Sequence, residues 1–137
     1  GDHRDLHLSI RRQRQMCIRD RNITLTSSDG HSFDVFEARP EGEVKGGVVV
    51  LQEIFGVNQH IREVALGYAE KGYAALAPAI FDRVERKIEF GYEDQSEFDK
   101  GLDIAFSKLS ISDSLVDIQT TVDALAKFGN VGVVALG

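Results

Sequence analysis

The segment Val48-Val49-Val50-Leu51-Gln52-Glu53-Ile54-Phe55-Gly56-Val57-Asn58 constrains this chain more than any other. Four consecutive apolar residues bounded by turn signals fit a strand buried on both faces, as in a parallel sheet. The run passes directly into Gln52 and Glu53, so a carboxylate sits at the carboxyl end of the strand. In open α/β sheets that edge is where ligands bind. A carboxylate there lies close to a low-dielectric interior, where its protonation can be tuned for chemistry. The local pattern is equally compatible with a solvated loop acid that merely follows a strand.

The rest of the chain fits the same layout. Ile23-Thr24-Leu25-Thr26 alternates as a half-buried strand does, Ser28-Asp29-Gly30 makes a turn, and Phe33–Ala38 forms the second arm of a hairpin. A polar loop from Pro40 to Gly47 leads into the buried strand Val48–Gln52. Asn58 is an N-cap for a helix whose apolar face is Ile61, Val64, Ala65 and Tyr68, and Gly72 is its C-cap. Tyr73–Ala77 is a second buried strand, ended by Pro78. This strand–helix–strand unit implies parallel pairing with a right-handed crossover. Residues 82–110 are charged and mixed, with helical pieces around 94–108. Ser112 or Ser114 caps a further helix with the stripe Leu115, Ile118, Val122 and Leu125, and Gly129 closes it. Val131–Leu136 is the last strand. The order predicts a three-layer α/β/α sheet, mostly parallel, opened by an antiparallel hairpin.

Composition narrows the function classes. The 137 residues suffice for one domain with a core, and no apolar run approaches the ~20 residues of a membrane span. The net charge of −6 divides unevenly, +3 on residues 1–21 and −9 on the remainder. An acidic body argues against a nucleic-acid surface. The single Cys17 excludes an internal disulfide and a Cys-based zinc site, and cytoplasmic residence is the default expectation. Residues 1–21 hold six arginines without a period of 2 or 3.6 and look like translated adapter sequence rather than part of the fold. A basic arm or an organelle presequence is the alternative. Cys17 lies among arginines that could lower its pKa, but it has no fixed base, and a thiol in an unstructured tail is the simpler reading. At the other end Val131–Gly137 stops on a glycine directly after an apolar strand, so the chain is expected to be truncated.

Three stretches carry a family resemblance: Gln52–Asn58 with Ile61-Arg62-Glu63, then Gly72–Pro78, then Phe81-Asp82-Arg83. Together they resemble the dienelactone hydrolase family of the α/β-hydrolase fold, over roughly Ile23 to Gly137. The resemblance implies a role for each matching position. Glu53 takes the place of the glutamate that helps generate the thiolate of a nucleophilic cysteine. Ile54 takes the place of the residue whose backbone N–H is one oxyanion-hole donor, in the loop after the third strand where this fold builds that hole. Arg83 takes the place of an arginine that binds a substrate carboxylate, a task suited to its fork of donors. Without the resemblance, Arg83 reads as a surface ion pair with Asp82 or Glu85.

The departures limit what this chain does. The family nucleophile is a cysteine in a G-x-C-x-G elbow, and the sequence supplies the strand and the first glycine, Gly137. The acid and histidine follow the nucleophile in this fold, so none of His3, His7, His31 or His60 takes the family role. The expectation is a small-molecule hydrolase of esters or lactones, the substrate being anionic if Arg83 binds it, with no cofactor, metal, nucleic acid or membrane partner. The 137-residue chain itself is expected to be inactive. Two other classes stand beside this one. Val131–Gly137 could open the glycine-rich loop of a nucleotide-binding module, and the chain could be a non-catalytic remnant that keeps the fold for binding.

Overall fold

The computed structural model describes residues 18–136. The elements run β1 (Ile18–Thr26), β2 (Ser32–Pro40), β3 (Gly47–Leu51), α1 (Gln59–Glu70), β4 (Ala74–Pro78), α2 (Gln95–Asp103), α3 (Ile111–Leu125) and β5 (Val131–Ala135). A 3-10 turn at Ile80–Arg83 follows β4, and a π turn at Ile104–Lys108 extends α2. The strands form one open sheet in the order β1-β2-β4-β3-β5. The β1–β2 and β2–β4 pairs are antiparallel, whereas β3 is parallel to both β4 and β5.

The apolar run forms β3 because both of its faces are covered. Val48 and Val50 pack with Ile61, Ala65 and Ala69 of α1, while Val49 packs with Leu125 of α3. Helix α1 starts as its cap dictates, with Asn58 Oδ1 accepting the Ile61 N–H at 3.2 Å. It ends at Lys71, followed by Gly72 at φ +101°.

Three local expectations are corrected. First, the boundary drawn at residue 21 cuts through β1, whose Ile18–Arg21 pair with Pro40–Glu37 of β2. Arg19 and Arg21 sit there through ion pairs with Glu41 and Glu37, each at 2.8 Å. Residues 1–17, Cys17 included, lie outside the described residues. Second, Ser110 caps α3 rather than Ser112 or Ser114, its Oγ accepting the Asp113 N–H at 3.4 Å. Third, α3 presents Asp117, Thr121 and Leu125 to the body, while Leu115 is 58% exposed and Ile118 and Val122 are half-buried. Of the expected stripe, Leu125 reaches the core and Val122 packs beside it, while Leu115 faces outward; the first turns of the helix bury Asp117 instead, which finds the hydroxyl of Ser27 at 2.6 Å and the guanidinium of Arg83 at 2.8 Å. A polar side chain with matched donors is accepted inside where an unpartnered one is not.

Among the described residues β5 pairs with β3 alone, and its run Val131–Ala135 contains no Lys or Pro. Val133 is 50% exposed. An apolar edge of this kind is a template for pairing with another chain. The chain is expected to self-associate over a dilution series in sedimentation velocity, and Val133→Lys to suppress this. A single monomeric species at every concentration would contradict it.

Candidate active site

The strand β3 delivers its carboxyl end to a tight turn, Glu53-Ile54-Phe55-Gly56, in which the Gly56 N–H reaches the Glu53 carbonyl at 3.4 Å. Gly56 adopts φ +80°, and a Cβ there would overlap the carbonyl oxygen of Ile88. Only glycine meets both demands, the left-handed backbone and the close approach. On the other side, Gly101 of α2 lies against the Ile54 carbonyl oxygen, where a Cβ would again overlap. The segment 88–92 is stitched to the turn along its length. Phe90 N–H donates to Phe55 O at 2.8 Å, Asn58 Nδ2 donates to Phe90 O at 3.2 Å, and Arg62 bridges Val57 O at 2.9 Å and Glu89 at 2.7 Å. The turn is therefore held from two directions.

Within that frame the Glu53 side chain is half-buried and its Oε1 accepts the Tyr92 hydroxyl at 3.0 Å. Tyr92 is 53% exposed, yet partial desolvation pushes its phenol up; the Asn58 side chain opposes this and the Glu53 carboxylate adds to it. The Ile54 N–H donates to no acceptor among the described residues. An unengaged backbone donor beside a carboxylate, at the end of a buried strand, is suited to receive developing negative charge. Strand β5 runs parallel to β3 with Ala135 opposite Leu51, so its carboxyl end emerges beside the same turn. Gln52 helps set the turn, its Oε1 accepting the Phe81 N–H at 3.3 Å and its Nε2 donating to Glu53 O at 2.9 Å.

Arg83 is placed differently. Its Nε and Nη2 donate to the two oxygens of Asp117 at 2.9 and 2.8 Å, while Nη1 and Nη2 reach Asp29 at 2.7 and 3.2 Å. Its side chain is 13% exposed and Asp117 is fully buried. Neither Asp82 nor Glu85 is its partner. Asp82 instead accepts the Asp34 N–H at 2.8 Å and approaches Arg86 at 3.5 Å, and Glu85 pairs with Lys100 at 3.0 Å. The structure thus brings Glu53 and Ile54 together and gives Arg83 a separate polar network that joins the hairpin turn to α3. A substrate carboxylate would have to displace Asp117 or Asp29 to use those donors.

The same network holds a serine, a histidine and an aspartate without forming a triad. Ser27 is 4% exposed and its hydroxyl donates to Asp117, and the nearest His31 nitrogen stands 3.9 Å from Asp117. The serine is held by the aspartate itself, with no histidine between them, and is almost closed to solvent. His60 is exposed on α1, and no carboxylate pairs with it among the described residues. A cavity of about 390 Å³ opens beside Gln52, Arg62, Asp82 and Lys87, but neither Glu53 nor Ile54 lines it. Among the described residues no cluster of His, Cys, Asp or Glu is arranged to hold a metal, and no helix is long and apolar enough to cross a membrane.

The carboxylates imply an acid limb of stability. The Arg83 guanidinium, then the His31 N–H, hold the Asp29 carboxyl below its ordinary range, and Ser96 with the first N–H groups of α2 does the same for Asp94. A depressed folded-state pKa adds stability above the unfolded value, about 4, which is lost as pH falls through the folded one. Asp82 works in the opposite sense, since burial raises it: its contribution is present at low pH and lost as pH rises through the raised value. Asp29→Asn is therefore expected to flatten the fall of the thermal midpoint below about pH 4. Melting curves on the acid side check this, and an unchanged slope would remove Asp29 from the account.

Sequence reasoning missed Tyr92 and Asp117. Tyr92 lies 39 residues from Glu53 in a charged loop, with no periodic signal to single it out. Asp117 was legible only as a polar break beside the stripe of α3.

Comparison with known proteins identifies the family and the fold. The profile of the dienelactone hydrolase family matches residues 33–137. An Azospirillum brasilense protein assigned as a carboxymethylenebutenolidase is 35% identical over 80 residues, covering 58% of this chain and 35% of that protein. The carboxymethylenebutenolidase of Pseudomonas putida is 38% identical over 61 residues, covering 44% and 26%. A crystal structure from Klebsiella pneumoniae, assigned as a dienelactone hydrolase, superposes with a TM-score of 0.71 at 26% identity, covering 87% of this chain and 50% of that one. The chain thus spans about half of that solved structure, and its matches span about a third or less of the two relatives. With an open α/β sheet, a held turn after the third strand and this profile match, the chain belongs to the dienelactone hydrolase family, with the α/β-hydrolase fold.

Proposed function

We propose that this chain supplies the accessory carboxylate and one oxyanion donor of a hydrolase that cleaves small-molecule esters or lactones, enol-lactones being the type substrate. The observation that carries this is the unengaged Ile54 N–H beside the half-buried Glu53, at the point where β5 emerges. The nucleophile in this reading is a cysteine that follows β5 in a G-x-C-x-G motif, of which the sequence supplies the first glycine, Gly137. Glu53 promotes its thiolate, which adds to the substrate carbonyl. The oxyanion that forms meets the Ile54 N–H, and collapse leaves a thioester and expels an alkoxide or enolate, which takes up the proton that left the thiol. Water, activated by a histidine, then releases the acid and restores the thiolate. The acid and histidine of the triad lie beyond the present sequence in this proposal, and the chain alone is inactive. Arg83 braces the fold rather than anchoring substrate, because its hydrogen bonds all go to Asp117 and Asp29. Cytoplasmic residence belongs to the same proposal and rests on the single Cys17.

Reading the coding DNA past the Gly137 codon tests the proposal first. A G-x-C-x-G frame followed by Asp and His is expected, and the encoded protein is expected to hydrolyse activated esters and enol-lactones. In that protein Glu53→Gln should lower kcat by roughly 100-fold or more, the range for a positioned acid or base. Turnover by the 137-residue chain well above its Glu53→Gln form would overturn the inactivity of the chain. A stop codon after Gly137 would overturn the catalytic reading as a whole.

A further inference from the structure

We propose that Tyr92 is the positioning residue for Glu53, and that it ties the direction of the carboxylate to the turn carrying the Ile54 N–H. This rests on the role given to Glu53 above. Among the described residues, the only hydrogen bond made by the Glu53 side chain is the one from the Tyr92 hydroxyl, at 3.0 Å. A glutamate has three rotatable bonds, and its carboxylate samples several staggered directions unless a partner selects one. Tyrosine, with two, is a stiffer support.

The support is itself anchored to the turn. The Tyr92 ring meets Phe55 edge-on, with centroids 4.5 Å apart at 67°, and meets His60 of α1 at 6.2 Å and 76°. Phe55 is the residue directly after Ile54, and its carbonyl accepts the Phe90 N–H. Phe98 of α2 also approaches Phe55, at 6.2 Å. A shift of the Ile54 peptide must therefore move Phe55, and with it the phenol that aims Glu53. Carboxylate and N–H donor are held as one unit, the preorganisation that catalysis by fixed charges requires. Removing only the hydroxyl leaves the ring and its stacks in place and frees the carboxylate.

Two measurements on the purified chain test this without turnover. Phenol ionisation is followed by ultraviolet absorbance, the Tyr92→Phe difference separating Tyr92 from Tyr68 and Tyr73. In Glu53→Gln the Tyr92 midpoint is expected to fall toward that of ordinary tyrosine. The Glu53 side-chain carbon is followed by NMR at one pH, and Tyr92→Phe is expected to shift its resonance while those of other glutamates stay unchanged. A merely structural tyrosine would alter the melting curve and neither readout. A Tyr92 midpoint indifferent to Glu53→Gln, or a Glu53 resonance indifferent to Tyr92→Phe, would overturn the proposal. Failure of ester hydrolysis in the longer protein would overturn the function assigned to Glu53, and these measurements would still report on the contact.

Discussion

Arg83→Ala is expected to destabilise the chain by about 3–5 kcal/mol, the range for removing one partner of a buried ion pair. The reason lies in Asp117, which is fully buried and receives both Nε and Nη2 of Arg83 in a fork. Without Arg83 its charge keeps the Ser27 hydroxyl at 2.6 Å and a His31 nitrogen at 3.9 Å. Thermal melts should fall by roughly 10–20 °C for a domain of this size. Arg83→Lys should recover only part of this, because an ammonium cannot reproduce the planar fork. The double substitution Arg83→Met with Asp117→Leu should be milder than Arg83→Ala alone, since no charge is then stranded. Equilibrium unfolding of the four proteins measures these terms. If Arg83→Ala melts like the parent, the pair carries no stability, and Arg83 becomes available for the substrate-binding role implied by the family resemblance.

Gly56→Ala is expected to cost about 2–5 kcal/mol, combining left-handed backbone strain with an overlap that neither backbone can easily relieve. The residue stands at φ +80° with the Ile88 carbonyl directly where a Cβ would go. Gly101→Ala separates the two effects. It sits in helix α2, where alanine is intrinsically favoured by about 1 kcal/mol, yet its Cβ would press on the Ile54 carbonyl oxygen. Its melting point should therefore change less than that of Gly56→Ala, while the amide resonances of Ile54 and Phe55 shift strongly. In a longer, active protein the misplaced N–H should lower kcat by about 100–1000-fold, the usual effect of losing one oxyanion donor. Unmoved Ile54 and Phe55 resonances in Gly101→Ala would show that the turn is not held by that contact.

These two sites mark the difference between what was legible and what was not. The buried strand was readable because Val48–Leu51 is continuously apolar, and its helix because Asn58 and Gly72 bracket Ile61, Ala65 and their neighbours. The position of Glu53 and Ile54 at the carboxyl end of β3 followed, since they come directly after the buried run. Arg83 shows the limit of such reasoning. Its local neighbours Asp82 and Glu85 were the natural partners, but those it has, Asp29 and Asp117, lie 54 and 34 residues away. Helix α3 was legible only in part: Val122 and Leu125 of the stripe pack against the core, but Leu115 is exposed and Asp117 takes an inward position with buried partners.

The sequence by itself determined the elements whose signals are local: an unbroken apolar run, a cap, a glycine at a helix end, and with them the α/β class and the position of the Glu53 turn. Tertiary structure alone decided which charges meet. Hydrophobic burial is non-directional and additive, so it leaves a periodic trace along the chain. A hydrogen bond or ion pair depends on a few ångströms and an angle between residues far apart in sequence. The Tyr92–Glu53 contact and the Arg83–Asp117 fork are of that second kind, and so they emerged only when the sheet and its helices were in place.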